Sequence, residues 1–246
     1  MNKKLQKIRT AERQYHEAFY ENNGLFEAGS WLNKPVKAVT DTLQRFREYD
    51  EVRMLDLGCG IGRNSIPMAQ ALIGRTGSVV CVDLLESALS KLEENSRRYA
   101  VSEYIVPRLS DITHVEIGDR EYDFIVAVSS LEHAASEEGF CNLLARMADG
   151  KKPRGVNCLI INTNMQEIDR ETGEELEHLT EVLLSTEQTE HYLSEAYSGW
   201  EILLRNVKQL EFPIDRGERK VIWKTDCLTF VAHKTGTAKN SSRDYW

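Results

Sequence analysis

Short, continuous apolar runs alternate with helix-like segments through the middle of this 246-residue chain. The first run is VRMLDL, and the later ones are SVVCVD, EYIVPRLSD, YDFIVAVSS and GVNCLIINT. Strands that are apolar throughout are typical of a parallel sheet covered by helices on both faces. Two longer segments, WEILLRNVKQLEF and KVIWKTDCLTFVAHK, predict an antiparallel hairpin near the C-terminus. The sequence therefore predicts an α/β fold with a doubly wound, seven-stranded, mostly parallel sheet that ends in this hairpin.

Segments outside the alternating region predict the domain organisation. Apolar residues recur at helical spacing over residues 1–20, which predicts an amphipathic helix. We expect residues 1–48 to form a helical lid, residues 49–234 to form the ligand-binding domain and residues 235–246 to be a flexible tail. The acid-rich stretch 164–186 predicts a solvated loop and helix, with a substrate-covering insertion as the alternative.

Composition limits the partners of this chain. Lys and Arg total 31 against 39 Asp and Glu, a net charge of −8, which argues against a nucleic-acid partner. Near the N-terminus, basic residues predict the solvated face of a helix: Lys3, Lys4, Lys7, Arg9 and Arg13. No apolar run approaches the roughly 20 residues that span a bilayer, and the N-terminus lacks a signal-peptide core. The five scattered cysteines predict free thiols in a cytoplasmic protein and no metal site.

The glycine-rich segment DLGCGIG, residues 56–62, follows the first predicted strand and opens a helix. Glycines allow a ligand to approach the backbone, and ligands of open α/β sheets lie at the carboxyl ends of the strands. A dinucleotide fingerprint needs a glycine three positions after Gly60, where this chain has Arg63. A carboxylate at Asp56 would repel a diphosphate and attract a cation. The turn, with Gly58, therefore favours S-adenosylmethionine over NAD.

Two more acids follow the next two predicted strands. Asp83 ends the second run, with Leu84 beside it, and a carboxylate there accepts hydrogen bonds from ribose hydroxyls. Asp111 follows the third run, where it is expected to accept from the adenine amino group, with Ile112 against the ring. The alternatives are a helix-start acid for Asp83 and a helix cap for Asp111.

Taken together, these segments resemble the class I S-adenosylmethionine-dependent methyltransferases. LDLGCGIGRNS is similar to the first motif of that family, VVCVD to the second, and SDI with YDFIVAVSSLEH to the later ones. The resemblance implies that residues 49–234 form a methyltransferase domain whose cofactor is S-adenosylmethionine.

A narrower resemblance is to the tellurite-resistance-type methyltransferases, carried by GRNS and EHYLSEAYSGW. In this resemblance Arg63 meets the methionine carboxylate, which suits its planar guanidinium. The implied cofactor contacts are Gly58, Arg63, Asp83, Asp111, Ile112 and Ser129. That type carries a His-Arg pair between the last two strands, where this chain reads FPIDR and offers only Arg216 or Arg219. The ending SSLEH is more similar to general small-molecule methyltransferases.

In-line methyl transfer depends mainly on positioning and desolvation. A base is needed only if the acceptor loses a proton, and our catalytic candidates are then His133 and Ser130, after the fourth strand. Glu132 and Ser129 are neighbouring candidates, and a packing histidine is the alternative for His133. His191 and Tyr192 are weaker candidates for facing the substrate. Four lid aromatics are expected near the sulfonium, with helix packing as the alternative: Tyr15, Phe19, Tyr20 and Trp31.

The sequence thus predicts a methyltransferase for a small-molecule acceptor, acting as a monomer or homodimer. Two alternatives stay open. The same type of sheet could serve a nicotinamide-dependent oxidoreductase, and the cofactor site could belong to a protein that binds S-adenosylmethionine without catalysis.

Overall fold

A computed structural model describes residues 3–177, 180–216 and 219–235. It contains a seven-stranded sheet in the order β3-β2-β1-β4-β5-β7-β6. The strands are β1 (Glu51–Leu57), β2 (Thr76–Asp83), β3 (Ile105–Leu109), β4 (Tyr122–Val128), β5 (Lys151–Asp169), β6 (Glu201–Arg216) and β7 (Arg219–His233). β1 to β5 are parallel, and β7 is antiparallel to both of its neighbours, β5 and β6. This confirms the predicted mostly parallel sheet and its C-terminal hairpin.

Helices cover both faces of the sheet. They are α1 (Lys3–Asn22), α2 (Lys37–Leu43), α3 (Ser65–Gln70), α4 (Glu86–Arg98), α5 (Glu137–Asp149) and α6 (Thr186–Ala196). Apolar residues of α2, α3 and α4 pack with one face of the sheet, and those of α5 and α6 pack with the other. Within the described ranges, no helix combines the length and the apolar character needed to cross a membrane.

Strand burial explains the continuous apolar runs. In β4, Phe124 and Val126 belong to one core while Ile125 and Ala127 belong to the other, and all four are fully buried. β3 lies at the edge of the sheet, as its Pro107 predicts, because proline has no N–H to donate to a further strand.

The acid-rich stretch 164–186 differs from its prediction. β5 continues to Asp169, and in the part of the stretch that the structure describes no helix begins before Thr186. Met165 and Glu167 are buried while Asn164 and Gln166 are exposed, which is the period-two pattern of a strand. The predicted helix is therefore wrong there, because strand alternation against β7 outweighs the acidic composition. The predicted tail lies outside the described residues from residue 236 onward.

Candidate functional site

The glycine turn after β1 lies against the end of β2. The backbone N–H groups of Gly58 and Cys59 donate to Val82 O at 2.8 and 3.0 Å. Gly58 and Gly60 have φ angles of +73° and +52°, a region that side chains disfavour. A Cβ on Gly58 would also lie 2.4 Å from Ser130 Cβ, so only glycine fits.

Asp83 is the acid that faces this turn. Its Oδ2 accepts a hydrogen bond from Gly60 N at 2.8 Å, and its Oδ1 accepts from Leu85 N at 2.9 Å. Burial raises the pKa of Asp83, although both backbone hydrogen bonds oppose the change. The turn and the end of β2 are thus joined by one carboxylate at the edge where ligands of this kind of sheet bind.

Asp56 does not face the turn, which corrects the prediction made for it. The side chain is 1% exposed, and Ser65 Oγ donates to its Oδ2 at 2.6 Å. Burial raises its pKa to about 7, and the hydrogen bond from Ser65 opposes that rise. Side chains alternate along β1, so Asp56 shares the inward direction of Met54 and fastens the start of α3.

Asp56 is expected to make the folded state less stable as pH rises. Its folded pKa of about 7 lies above the unfolded value, so the stability of the neutral form is present at low pH and is lost between about pH 4 and 7. The charge of Asp83 also raises the pKa of Asp56. Relative to Asp56→Asn, the wild type should lose on the order of 4 kcal/mol across this window, about 1.4 kcal/mol for each pH unit. Urea unfolding at a series of pH values measures it, and a pH-independent difference would contradict it.

Asp111 and Ile112 lie near the same edge of the sheet, but Asp111 is hydrogen-bonded within the protein and Ile112 is buried. Oδ1 of Asp111 accepts from Thr113 N and Oγ1 at 2.8 and 2.6 Å, and Oδ2 accepts from Arg9 Nη2 at 2.6 Å. Burial alone would raise the pKa of Asp111, but these hydrogen bonds outweigh it and the pKa is lowered. Ile112 is 7% exposed and packs in the core, whereas Leu84 is 42% exposed. Of the two apolar candidates, Leu84 is the more accessible to a ligand.

α1 lies across the carboxyl ends of the strands. Near its start, Arg9 reaches Asp111 after β3, and near its end the hydroxyl of Tyr20 lies 2.8 Å from the position a Cβ would take on Gly60. Phe19 stacks on Trp31 at 5.0 Å between ring centroids. The predicted lid aromatics thus cluster beside the glycine turn. Their contact with a sulfonium stays a prediction.

Arg9 corrects the prediction that the N-terminal basic residues form a solvated face. Its side chain is 22% exposed and also pairs with Glu181, Nε to Oε1 at 3.7 Å. Loss of these contacts should free α1, so we expect Arg9→Ala to speed amide exchange in this helix by about 3–10-fold. Mass-spectrometric exchange measures this, and Arg13→Ala, which removes an exposed arginine from the same helix, is the control. Equal exchange in the two variants would contradict a holding role for Arg9.

Arg63 contacts the lid. Its Nε donates to Lys34 O at 2.8 Å, and its guanidinium lies 5.4 Å from the ring centroid of Trp31. The arginine therefore joins α3 to the segment that follows α1. Its contact with a methionine carboxylate, which would use the remaining guanidinium nitrogens, stays a prediction.

The two serines after β4 differ in exposure. Ser129 is exposed and has a φ of +49°, so it is accessible at the predicted cofactor edge. Ser130 is 4% exposed, and its hydroxyl donates to Leu57 O at 2.7 Å. This hydroxyl is committed to the backbone of β1, so the structure gives Ser130 a positioning role instead of the predicted catalytic one.

His133 lies in an acidic setting that the sequence did not predict. Its Nδ1 is 3.0 Å from Glu181 Oε2, and Glu132, which accepts from Asn162 Nδ2 at 2.6 Å, is its chain neighbour. Burial opposes the charged form, but the hydrogen bond and charge of Glu181 raise the pKa of His133 to about 9. The imidazole is therefore protonated near neutral pH in this arrangement, which does not suit the predicted general base.

The other residues predicted to face the substrate do not lie at the glycine turn. His191 pairs with Glu195 on the surface of α6, and Tyr192 donates its hydroxyl hydrogen bond to Glu137 on α5. Arg219 lies 4.0 Å from Asp169 at the far end of the hairpin. The structure describes no side chain for Arg216.

The family match covers the part of the chain that holds the glycine turn, Asp83 and Asp111. Residues 54–155 match the family described as "Methyltransferase domain". Carboxy-S-adenosyl-L-methionine synthase from Shewanella piezotolerans is 24% identical over 124 residues, covering 49% of this chain and 48% of the relative. The corresponding protein of Shewanella loihica is 29% identical over 105 residues, covering 42% of each. The chain thus spans about half the length of these relatives, or less.

Solved structures share the fold over more of the chain. TehB from Haemophilus influenzae is 23% identical with a TM-score of 0.58, covering 79% of this chain and 62% of that one. The 1,6-didemethyltoxoflavin-N1-methyltransferase of Burkholderia thailandensis is 15% identical with a TM-score of 0.55, covering 94% and 90%. Family match and fold together confirm the resemblance seen in the motifs: residues 54–155 match a methyltransferase domain, and the chain shares its fold with S-adenosylmethionine-dependent methyltransferases.

Proposed function

We propose that this chain transfers a methyl group from S-adenosylmethionine to a small-molecule acceptor by in-line displacement. The observation that carries the proposal is the Asp83 carboxylate, which holds the N–H of Gly60 at the glycine turn. An acid at the end of β2 can accept from the ribose of either donor. The glycine spacing is what opposes the oxidoreductase alternative, because Arg63 stands where a dinucleotide site needs its third glycine. The Burkholderia neighbour, which acts on a small molecule and binds S-adenosylhomocysteine, supports the same function.

The residues at this edge fit the donor. Asp83 would accept from the ribose hydroxyls, and Asp111 from the adenine amino group once Arg9 has released its Oδ2. Leu84 and Ser129 offer exposed surface along the same edge. These assignments extend the sequence predictions and give each residue a binding role.

The protein would promote the reaction mainly by positioning the donor and acceptor and by excluding water. When bound, S-adenosylmethionine supplies an electrophilic methyl group. The lid aromatics Phe19, Tyr20 and Trp31 would keep water from the reacting centre, since they already pack together beside the turn. Alignment and desolvation of this kind are worth on the order of 7–11 kcal/mol. An acceptor that carries a free lone pair needs no base from the protein.

Binding and transfer are measured separately to test the proposal. Calorimetry should show S-adenosylhomocysteine binding to the full chain and no competition by NADH. Methyl-labelled donor should then label one member of a panel of thiols, amines, phenols and carboxylic acids, with selenite and tellurite included. Binding of NADH in place of the nucleoside would favour the oxidoreductase. Binding of the nucleoside with no labelled acceptor would favour the non-catalytic alternative.

A further inference from the structure

Three potential metal-ligand side chains from distant parts of the sequence meet where the lid touches the sheet. Glu12 and His16 lie one helical turn apart on α1, and His133 follows β4. One donor atom from each residue lies within 4.8 Å of the other two. Oε2 of Glu12 is 3.5 Å from Nε2 of His16, and the rings of His16 and His133 are 6.5 Å apart at 81°.

The neighbours of this triad orient it for a ligand. Because Nδ1 of His133 is hydrogen-bonded to Glu181 at 3.0 Å, Nε2 is the ring nitrogen that faces a ligand, and a metal would bind it by displacing its proton. A carboxylate behind a histidine in this way fixes the ring and is the usual second neighbour of a metal-binding imidazole. Nδ1 of His16 is buried, and among the described residues it has no hydrogen-bond partner.

The donor set and its dimensions suit a borderline-soft divalent cation. Two imidazoles and one carboxylate form a three-ligand set known from zinc sites, where bonds of about 2.0–2.1 Å leave the fourth position to water or substrate. Tetrahedral bonds of that length put donors about 3.4 Å apart, so the 4.8 Å triad closes on a metal by side-chain rotation. Glu12 would bind the ion directly, whereas Glu181 lies behind His133 and also pairs with Arg9.

We propose that Glu12, His16 and His133 bind a divalent transition metal such as Zn²⁺, which fastens the α1 lid to the end of β4. Two of the ligands come from the lid and one from the sheet, so metal binding and lid closure are coupled. The site lies beside the lid aromatics and Asp83: the His16 ring is 5.6 Å from the Tyr20 ring, and the charges of His16 and His133 act on Asp83. It does not depend on the proposed methyl transfer. The scattered cysteines do not argue against this site, because two histidines and one carboxylate supply all of its protein ligands.

Cobalt binding tests the proposal on the full-length, untagged protein after removal of metals with a chelator. Titration with Co²⁺ should give about one equivalent per chain with the visible absorption of a tetrahedral nitrogen–oxygen site, displaced by Zn²⁺. His16→Ala and His133→Ala should each abolish this spectrum at micromolar cobalt. Glu181→Gln should weaken binding by about 10–100-fold, because it removes the carboxylate behind His133.

A matched control is available on α6. His191 and Glu195 also form an i,i+4 pair, in the reverse order, with Nε2 and Oε1 3.5 Å apart, but the pair is exposed and no third ligand joins it among the residues that the structure describes. His191→Ala should therefore bind cobalt like the wild type. The proposal is overturned if the stripped protein binds no stoichiometric cobalt or if the spectrum persists in a folded His16→Ala variant. A dominant sulfur-to-cobalt band would also overturn it. Calorimetry with S-adenosylhomocysteine in chelator tests the proposed function independently.

Discussion

Asp83→Ala is expected to weaken S-adenosylhomocysteine binding by roughly 100-fold or more. The carboxylate accepts from Gly60 N and Leu85 N, so its loss leaves two partly buried N–H groups without their acceptor and frees the turn. Hydrogen bonds to charged groups contribute about 1.5–3 kcal/mol each, and the ribose contacts would be lost as well. Isothermal titration calorimetry measures the change in Kd.

Two further variants separate the cause of that loss. Asp83→Asn keeps one acceptor oxygen and removes the charge, so its Kd should lie between those of the wild type and Asp83→Ala. Asp41→Ala removes an exposed acid that pairs with Lys37 on α2, and it should bind like the wild type. An unchanged Kd in a folded Asp83→Ala variant would remove the support for the proposed donor site.

Local patterns predicted the parts of the molecule whose partners are close in sequence or fixed by strand order. The apolar runs predicted the sheet because strands buried on both faces admit little else. Asp83 was predicted at the turn because it ends the strand next to β1, and parallel strands bring their carboxyl ends to one edge. The segment SEEGFCNLLARMA predicts a helix with Ser136 as its N-cap, and Ser136 does cap α5, accepting from Gly139 N at 3.1 Å.

Asp56 was placed wrongly, although the sequence contains the strand alternation that gives its true direction. Its place before the glycine turn suggested contact with the ligand. The alternation of β1 puts it on the face of Met54, whose side chain packs in the core on the side of α3. Strand parity decides where a carboxylate points, and that parity is readable from the sequence.

Arg9, Glu181 and His16 could not be placed because their partners are far away in the sequence. Arg9 meets Asp111, and Glu181 meets His133, through the packing of α1 and the acidic stretch over the sheet. Helical periodicity predicts that α1 has a buried face, but not which strand ends this face covers. The acidic composition around Glu181 likewise gave no indication that one carboxylate faces inward.

Gly58→Ala is expected to destabilise the fold by about 2–5 kcal/mol, the sum of backbone strain and overpacking. The φ of +73° disfavours any side chain, and the new Cβ would lie 2.4 Å from Ser130 Cβ. Gly74→Ala is the matched control, because Gly74 has a φ of +79° but open space around it. Strain alone should cost that variant about 1–2 kcal/mol.

The free energies of unfolding of both variants, measured with denaturant, separate the cost of the steric clash from the cost of backbone strain. Adding Ser130→Gly to Gly58→Ala removes the clashing atom, so the double-mutant cycle should show a favourable coupling of about 1–3 kcal/mol between the two sites. Ser130→Gly alone corrects for the lost hydrogen bond to Leu57 O. Equal destabilisation by Gly58→Ala and Gly74→Ala would mean that the turn tolerates a side chain. The close packing of Gly58 against Ser130 would then not be the reason that this position needs glycine.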